Sequence, residues 1–413
     1  MKRALRAVLV VVLALLAARI GAELWGRSKL ASQAQRFAQA VAEAKGRAAA
    51  RRSPVLRGEA KECDAAQVYQ RLMAGLAAEA TRTALRVAVA EPDKPLPPDV
   101  RALLDGKSVA ELAEAVRCTR ADFRVPFEQG AQMRFPDSAG AIALANLVVL
   151  DARGAARAGD AKRAAERGLD GARFGADFAG GGPLIMHMVG SVIIDASLKE
   201  LIRIYAADAS RAFPLAQVAA ELRTLEPALP SAAEGMHHER LFFLSLAGSY
   251  DGKETMFGGL GGALLPERAI LAHAVDEFDA LTPLRMKIAA AAERAERKRL
   301  SMELLARAEK SWNPLVRIAL PDESRYPARL AARLARVRLL QGGALVEARR
   351  DPGGAYPAEV KGLPIDPCAP PAPLRYARSA AGYKLWSVGE NGTDEGGAPG
   401  KGQDDGDVVL ARD

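Results

Sequence analysis

Residues 139–179 read AGAIALANLVVLDARGAARAGDAKRAAERGLDGARFGADFA, and two helices with a turn between them can be laid on this stretch without conflict. In the first, Ile142, Leu144, Leu147, Val148, Val149 and Leu150 cover most sides of one cylinder, so burial on more than one face is expected. Gly159-Asp160 reads as the turn, with the Asp160 carboxylate placed to accept from the first free amides of the next helix. There Ala165, Leu169, Ala172 and Ala176 recur at four, three and four residues, a single stripe at helical period. A helical hairpin results. After Gly180-Gly181-Gly182, Pro183 suits a first helical position, and LIMHMVGSVII at 184–194 is so apolar that it is expected in the middle of a bundle.

The same punctuation extends in both directions. Further helices are expected at 213–226, 231–249, 266–280 and 284–311, and from Ala328 to about Arg349, separated by Pro or Gly-rich breaks that include GGLGG at 258–262. Upstream, residues 28–52 read as a stalk ended by Ser53-Pro54, with helices from Cys63 to Val89 and from Val100 to Cys118. The segment EPDKPLPPD at 91–99 is a loop, because its prolines lack the amide that a helix or ladder requires. No strict repeat of about 34 residues is present. The expectation is a mainly α protein: a helical bundle or irregular helical-repeat body over 28–350, then a small strand-and-loop module over 351–413. Aromatics make up only 5% of the 413 residues while Ala, Leu and Arg dominate, which favours helix.

Residues 1–27 carry Lys2, Arg3 and Arg6 and then twelve apolar residues from Ala7 to Ala18. That is short for a spanning helix, which needs about 20, and suits a secretory signal. Cleavage near Ile20-Gly21-Ala22 gives a periplasmic protein. Continuation through Arg19 to Trp25 gives an inner-membrane anchor facing the periplasm, with the membrane as a partner. Export follows either way. If the chain is exported, Cys63 and Cys118 can pair; otherwise they and Cys368 are unpaired small apolar residues.

Charge divides the chain. From Asp351 onward 6 Lys/Arg stand against 10 Asp/Glu, leaving +12 on the first 350 residues of a chain whose net charge is +8. No DNA- or RNA-binding motif accompanies the basic part, so no nucleic-acid partner is expected. Nor does a catalytic constellation. His187, Ser191 and Asp195 lie four apart along one helix and cannot converge as base, nucleophile and orienter. His237-His238-Glu239 could open a zinc-protease motif, but Phe242 stands where the second His is required. His273 with Asp276 and Glu277 lacks the second motif of a bundle metal site. Arg329, Arg333, Arg336 and Arg338 are expected on the Arg face of an ordinary bundle helix, with anionic lipid or a partner as the other reading.

The tail is the exception. Gly389-Glu390-Asn391-Gly392-Thr393-Asp394-Glu395-Gly396-Gly397, followed by Asp404-Asp405-Gly406-Asp407, supplies the oxygens that calcium requires and the glycines that let backbone bend around an ion. Tyr383 to Val388 and Asp407 to Leu410 alternate as flanking strands. The loop is no EF-hand, since counting from Asn391 puts Gly402 at the twelfth position, where a bidentate carboxylate belongs.

In order, Tyr356-Pro357, Pro364-Ile365-Asp366-Pro367, Leu374-Arg375-Tyr376, Tyr383-Lys384-Leu385-Trp386-Ser387-Val388-Gly389, Asn391-Gly392, Gly396-Gly397 and Asp407-Val408 form a pattern. In this C-terminal stretch of about 60 residues the chain resembles the major pseudopilins of type II secretion systems. The resemblance implies a calcium ion with ligands among Asn391, Asp394, Asp404, Asp405 and Asp407 and a backbone carbonyl near Trp386 or Val388. The chain departs from the pattern at Asn391, where the family has Asp, and at Cys368, where an aromatic is usual. The N-terminus lacks the prepilin cleavage signal, so a filament subunit is not expected. The whole chain looks like exported helical bacterial proteins that end in such a tail. The function expected is a non-catalytic scaffold or adaptor of the cell envelope, with protein partners there. The alternative is an envelope hydrolase with a site built from His187, His237, His238 or Glu239.

Overall fold

A computed structural model of the chain describes residues 2–250, 265–320, 324–379, 382–400 and 406–412. The hairpin forms where its caps require. The Asp137 carboxylate accepts from the Gly140 amide and starts α6 (Ser138–Arg157), and that of Asp160 accepts from Arg163 and starts α7 (Ala161–Ala179), each at 2.9 Å. Then α8 (Leu184–Ala207) folds back on α7. Their crossing is close because glycine faces glycine: a Cβ on Gly190 would lie 2.4 Å from the Gly175 carbonyl oxygen. Among the described residues only α6 is long and apolar enough to cross a membrane, and it is mostly buried in protein. As expected, it is the core of a mainly α fold.

Two helices expected upstream are each divided. Residues 63–89 become β1 (Lys61–Asp64), α2 (Ala65–Gly75) and α3 (Glu79–Ala90), because Asp64 caps α2 through the Ala66 amide and leaves Cys63 extended. Residues 100–118 become α4 (Pro98–Leu104), α5 (Ser108–Ala115) and β2 (Cys118–Arg120), with Pro98 taking the first turn of α4, where no amide is needed. β2 pairs in parallel with β1, and Cys63 is disulfide-bonded to Cys118. Pro183 is the N-cap of α8 rather than its first residue, its carbonyl accepting from Met186 at 2.9 Å.

Downstream lie α9 (Leu215–Leu225), α10 (Ala232–Ser249) and α11 (Glu267–Ala290). The break expected before residue 284 is absent, for α11 runs through Pro283. Leu281, Leu284 and Ile288 pack in one cluster with Leu300 and Leu304, which outweighs the hydrogen bond that proline forfeits. The break comes at 291–293, where Arg297 binds the carbonyls of Ala291 and Ala292 at 3.0 and 2.6 Å, before α12 (Arg294–Glu309). α13 (Pro314–Ala319) and α14 (Arg325–Glu347) complete the body. GGLGG at 258–262 lies outside the described residues.

The C-terminal segment is an antiparallel sheet of β3 (Arg375–Arg378), β4 (Tyr383–Ser387) and β5 (Val408–Arg412). Its inward Tyr383, Leu385 and Leu410 enter the same apolar core as Leu201 of α8, Leu222 of α9 and Leu340 of α14. The Tyr205 and Tyr383 hydroxyls meet at 2.8 Å across this junction.

The first helix, α1 (Lys2–Ala50), is continuous over 49 residues. Its part from Leu30 to Val41 packs on α10 and α11 through Leu30, Phe37 and Val41. Gly26 is pressed so close to α11 that a Cβ there would lie 2.4 Å from the Ala269 amide nitrogen. From Val10 to Ala18 the helix is exposed, Leu15 to 66%, and Leu24 nearer the contact is 63% exposed.

Past α1 the chain is strapped to α7 by a buried polar seam. Asp177 accepts from Ser53 Oγ at 2.8 Å and Tyr69 Oη at 3.0 Å, and pairs with Arg173. Arg173, fully buried, also donates to the carbonyls of Pro54 at 2.7 Å and Cys118 at 3.1 Å. One turn earlier, Asp170 is held by Arg57 and by Arg167, the latter at 2.9 Å. Burial pushes the Asp170 carboxyl up to about 6 against the pull of both guanidiniums.

Candidate functional site

Two places gather side chains that chemistry can use. The first is the loop between β4 and β5. Asp366, fully buried, anchors it by accepting from Ser387 Oγ at 2.6 Å and from the amides of Cys368 and Val388 at 2.9 and 3.1 Å. Arg375 pairs with Asp366 at 2.7 Å and with Asp394 at 2.8 Å. Asp394 also accepts from Trp386 Nε1 at 2.9 Å and from the Gly396 amide at 3.0 Å, donors that hold its carboxyl below the usual range. It is thus committed to the sheet.

Asp407 differs. Its Oδ2 accepts from the amides of Glu395 and Gly397 at 3.1 and 2.7 Å, while Oδ1 is buried without a hydrogen-bond partner. Burial and the neighbouring Glu395 and Asp394 raise its carboxyl above the ordinary value. Asn391 Nδ2 donates to Glu395 Oε1 at 2.7 Å, so Asn391 and Asp407 both meet Glu395, a carboxylate not singled out as a ligand from the sequence. Asp404 and Asp405 lie outside the described residues. An orphaned carboxylate oxygen beside a second carboxylate, with flanking glycines at positive φ (Gly392 at 68°, Gly396 at 70°, Gly397 at 77°), suits an oxygen-seeking cation.

The second place is where the start of α8 meets α10. His187 Nε2 and His238 Nδ1 are 3.1 Å apart, and Glu234 stands one helical turn before His238. Among the described residues these three are the only group of His, Cys, Asp or Glu side chains whose ligand atoms lie within 4.8 Å of one another. Ser231 caps α10 through the Glu234 amide at 3.1 Å, and Arg51 of the post-α1 strap pairs with Glu234 Oε1 at 2.9 Å. His187 is fully buried, and its Nδ1 has no hydrogen-bond partner. Burial, and then the charges of His238, Arg51 and Arg333, hold its imidazole neutral, well below its usual range. A cleft of 870 Å³ opens beside the group, lined among others by Arg51, Gly180, Glu234, His237 and His238.

The other candidate residues are dispersed. Glu239 accepts from the Leu184 amide at 3.2 Å and caps α8 instead of joining the histidines. Ser191 accepts from Arg333 at 2.8 Å, and Asp195 pairs with Lys199 at 2.7 Å and Arg336 at 2.5 Å, so these two residues of α8 belong to a polar network. His273 pairs with Glu277 at 3.2 Å. Arg333, Arg336 and Arg338 reach Pro230, Asp195 and Glu226 within the fold rather than presenting a face for lipid. The sequence reading grouped His187 with His238 only as a hydrolase alternative and did not place Glu234 beside them. The Glu234-x-x-x-His238 spacing was the available signal.

No protein-family pattern matches the chain, and no curated protein or solved structure is similar to it at a significant level.

Proposed function

We propose that the chain is a membrane-anchored scaffold or adaptor of the cell envelope, exported to the periplasmic side, with a calcium-holding C-terminal module. The observation that carries this reading is α1. Its apolar end is exposed, with Leu13, Leu15, Leu16, Ile20 and Leu24 directed away from any protein surface. The same helix continues unbroken into a packed stalk whose first contacts are the Glu23–Arg268 pair at 3.6 Å and Gly26. An apolar helix end bare of protein is suited to lipid. Cleavage after Ala22 would remove that bare end and leave every packed residue in place, so both fates of the segment fit the fold. The Cys63–Cys118 bond suits an oxidising compartment.

In the tail, Asp407 and Glu395, with Asn391, Asp404 and Asp405, would hold the calcium, whose charge would offset the repulsion that Glu395 and Asp394 exert on the Asp407 carboxylate. The likeness to major pseudopilins is proposed for this module alone. The test has two arms. Cell fractionation should leave the chain in membranes after a carbonate wash, or in the periplasm with its N-terminus at Glu23; recovery in the cytoplasm would end the proposal. A thermal melt should rise with calcium and fall back with chelator, and Asp407→Asn should abolish the shift. A melt indifferent to millimolar calcium would leave the loop a solvated turn.

A second reading, an envelope hydrolase, is supported by the meeting of His187 and His238 beside an 870 Å³ cleft. Hydrolysis of ester or peptide substrates lost on His238→Ala would favour it over the scaffold.

A further inference from the structure

We propose that His187, His238 and Glu234 form a binding site for a divalent transition-metal ion of the zinc type, with its open coordination position facing the cleft between the post-α1 strap and α10. The proposal does not depend on the scaffold reading or on calcium in the tail.

Donor chemistry comes first. Two imidazoles and one carboxylate are a borderline-soft set that suits zinc and its first-row neighbours and not calcium, which takes oxygen. Geometry agrees. Ring nitrogens each about 2.0–2.1 Å from a tetrahedral ion stand roughly 3.3 Å from one another. The two nitrogens here are 3.1 Å apart, and the Glu234 oxygen lies within 4.8 Å of both, so small side-chain adjustments would bring all three to one ion.

Binding also forfeits little hydrogen bonding. Whichever ring donates in the His187–His238 contact, His187 Nδ1 lacks a partner, so giving Nε2 to an ion leaves that position no worse than before. The exchange is one imidazole–imidazole hydrogen bond for two coordinate bonds, the donor ring's proton moving to its other nitrogen so that both rings stay neutral.

Arg51 opposes a cation here by its charge, and Arg333 does so from the other side. The Arg51–Glu234 pair also has a positive role. With one carboxylate oxygen on the guanidinium and the other on the ion, Arg51 orients the ligand as outer-sphere partners of metal sites do. The ligands come from two helices fixed by other contacts: Ser231 caps α10, and Glu239 caps α8 two residues before Met186. The fourth position faces the cleft, because His238 and Glu234 line it while His187 closes the back.

The experiment uses the full-length chain in mild detergent, stripped with chelator and titrated with zinc by calorimetry while calcium is kept saturating. One zinc per chain is expected, with affinity at least about 100-fold weaker in His238→Ala and about tenfold weaker in Glu234→Gln. Asp407→Asn should bind zinc as the unaltered chain does. Cobalt in place of zinc should give the visible absorption of a tetrahedral nitrogen–oxygen site. Should His238→Ala fail to show a cooperative melt, Glu234→Gln decides, since it keeps the shape and the Arg51 hydrogen bond. Zinc binding that is absent, that persists undiminished in Glu234→Gln, or that gives a cobalt–thiolate band from Cys368 would overturn the site.

Discussion

The α7 seam and the His187 cluster are both buried polar groups in the same helical body, and they are satisfied in opposite ways. In the seam every buried carboxylate meets its cation: Asp170 has Arg57 and Arg167, Glu221 has Arg57, and Asp177 has Arg173 with two hydroxyls besides. At the start of α8, two imidazoles meet, and the buried Nδ1 of His187 has no hydrogen-bond partner. A matched network holds chain segments together, whereas an unmatched one keeps an affinity for something still to arrive. Buried polar groups left unsatisfied are destabilising, so their retention beside a cleft needs a use.

The comparison breaks most visibly at Arg173. Arg173→Met should destabilise the chain by about 3–5 kcal/mol in chemical denaturation, because Asp177 loses its counter-charge and the strap its two carbonyl anchors. A loss below about 1 kcal/mol would show that the seam is not what holds residues 51–60. Opening the disulfide beside it comes next. The bond closes a loop of 55 residues, for which chain entropy gives about 4 kcal/mol at most, so paired Cys63→Ser and Cys118→Ser substitutions should lower stability by roughly 2–4 kcal/mol.

A subtler probe is pH. Asp170 in the folded protein holds its proton up to about 6, against 3.8 in the ordinary carboxyl, so the folded state binds more protons across that window. Stability attributable to this group should therefore fall as pH rises from 3.8 to about 6, by no more than about 3 kcal/mol, and Asp170→Asn should lack that slope. A slope of the opposite sign would mean that the two arginines outweigh burial. The smallest effect is at Cys368, whose thiol is pushed up to about 12 by burial. Native protein at pH 8 should resist alkylation there, and unfolded protein should not; rapid native labelling would show an open site.

Where local rules acted alone, reading was accurate. Asp160 was legible as a cap, the Ala165–Ala176 stripe as a buried face, and Tyr383 to Val388 as a strand, since each depends on neighbours within a turn or two. Where distant packing competed, local rules failed. Pro283 was read as a stop but lies within α11, and Cys63 was placed in a helix but lies in a strand that pairs with β2, and it is disulfide-bonded to Cys118, 55 positions away.

The candidate sites divide along the same line. Asn391, Asp394 and Asp407 were singled out by the local signature of a glycine-rich acidic loop, whereas the pairing of Asp394 with Arg375 and Trp386 and the position of Glu395 beside Asp407 came only from the fold. By itself, then, the sequence determined the helical body, the caps, the apolar start of α1 and the acidic tail, all set by spacing and by backbone chemistry within a few residues. Only the tertiary structure decided that His187 meets His238 across 51 residues, that Arg173 closes the strap, and that the C-terminal sheet shares the body's core. Those meetings depend on how helices cross, and a crossing is a property of packed surfaces that no single segment encodes.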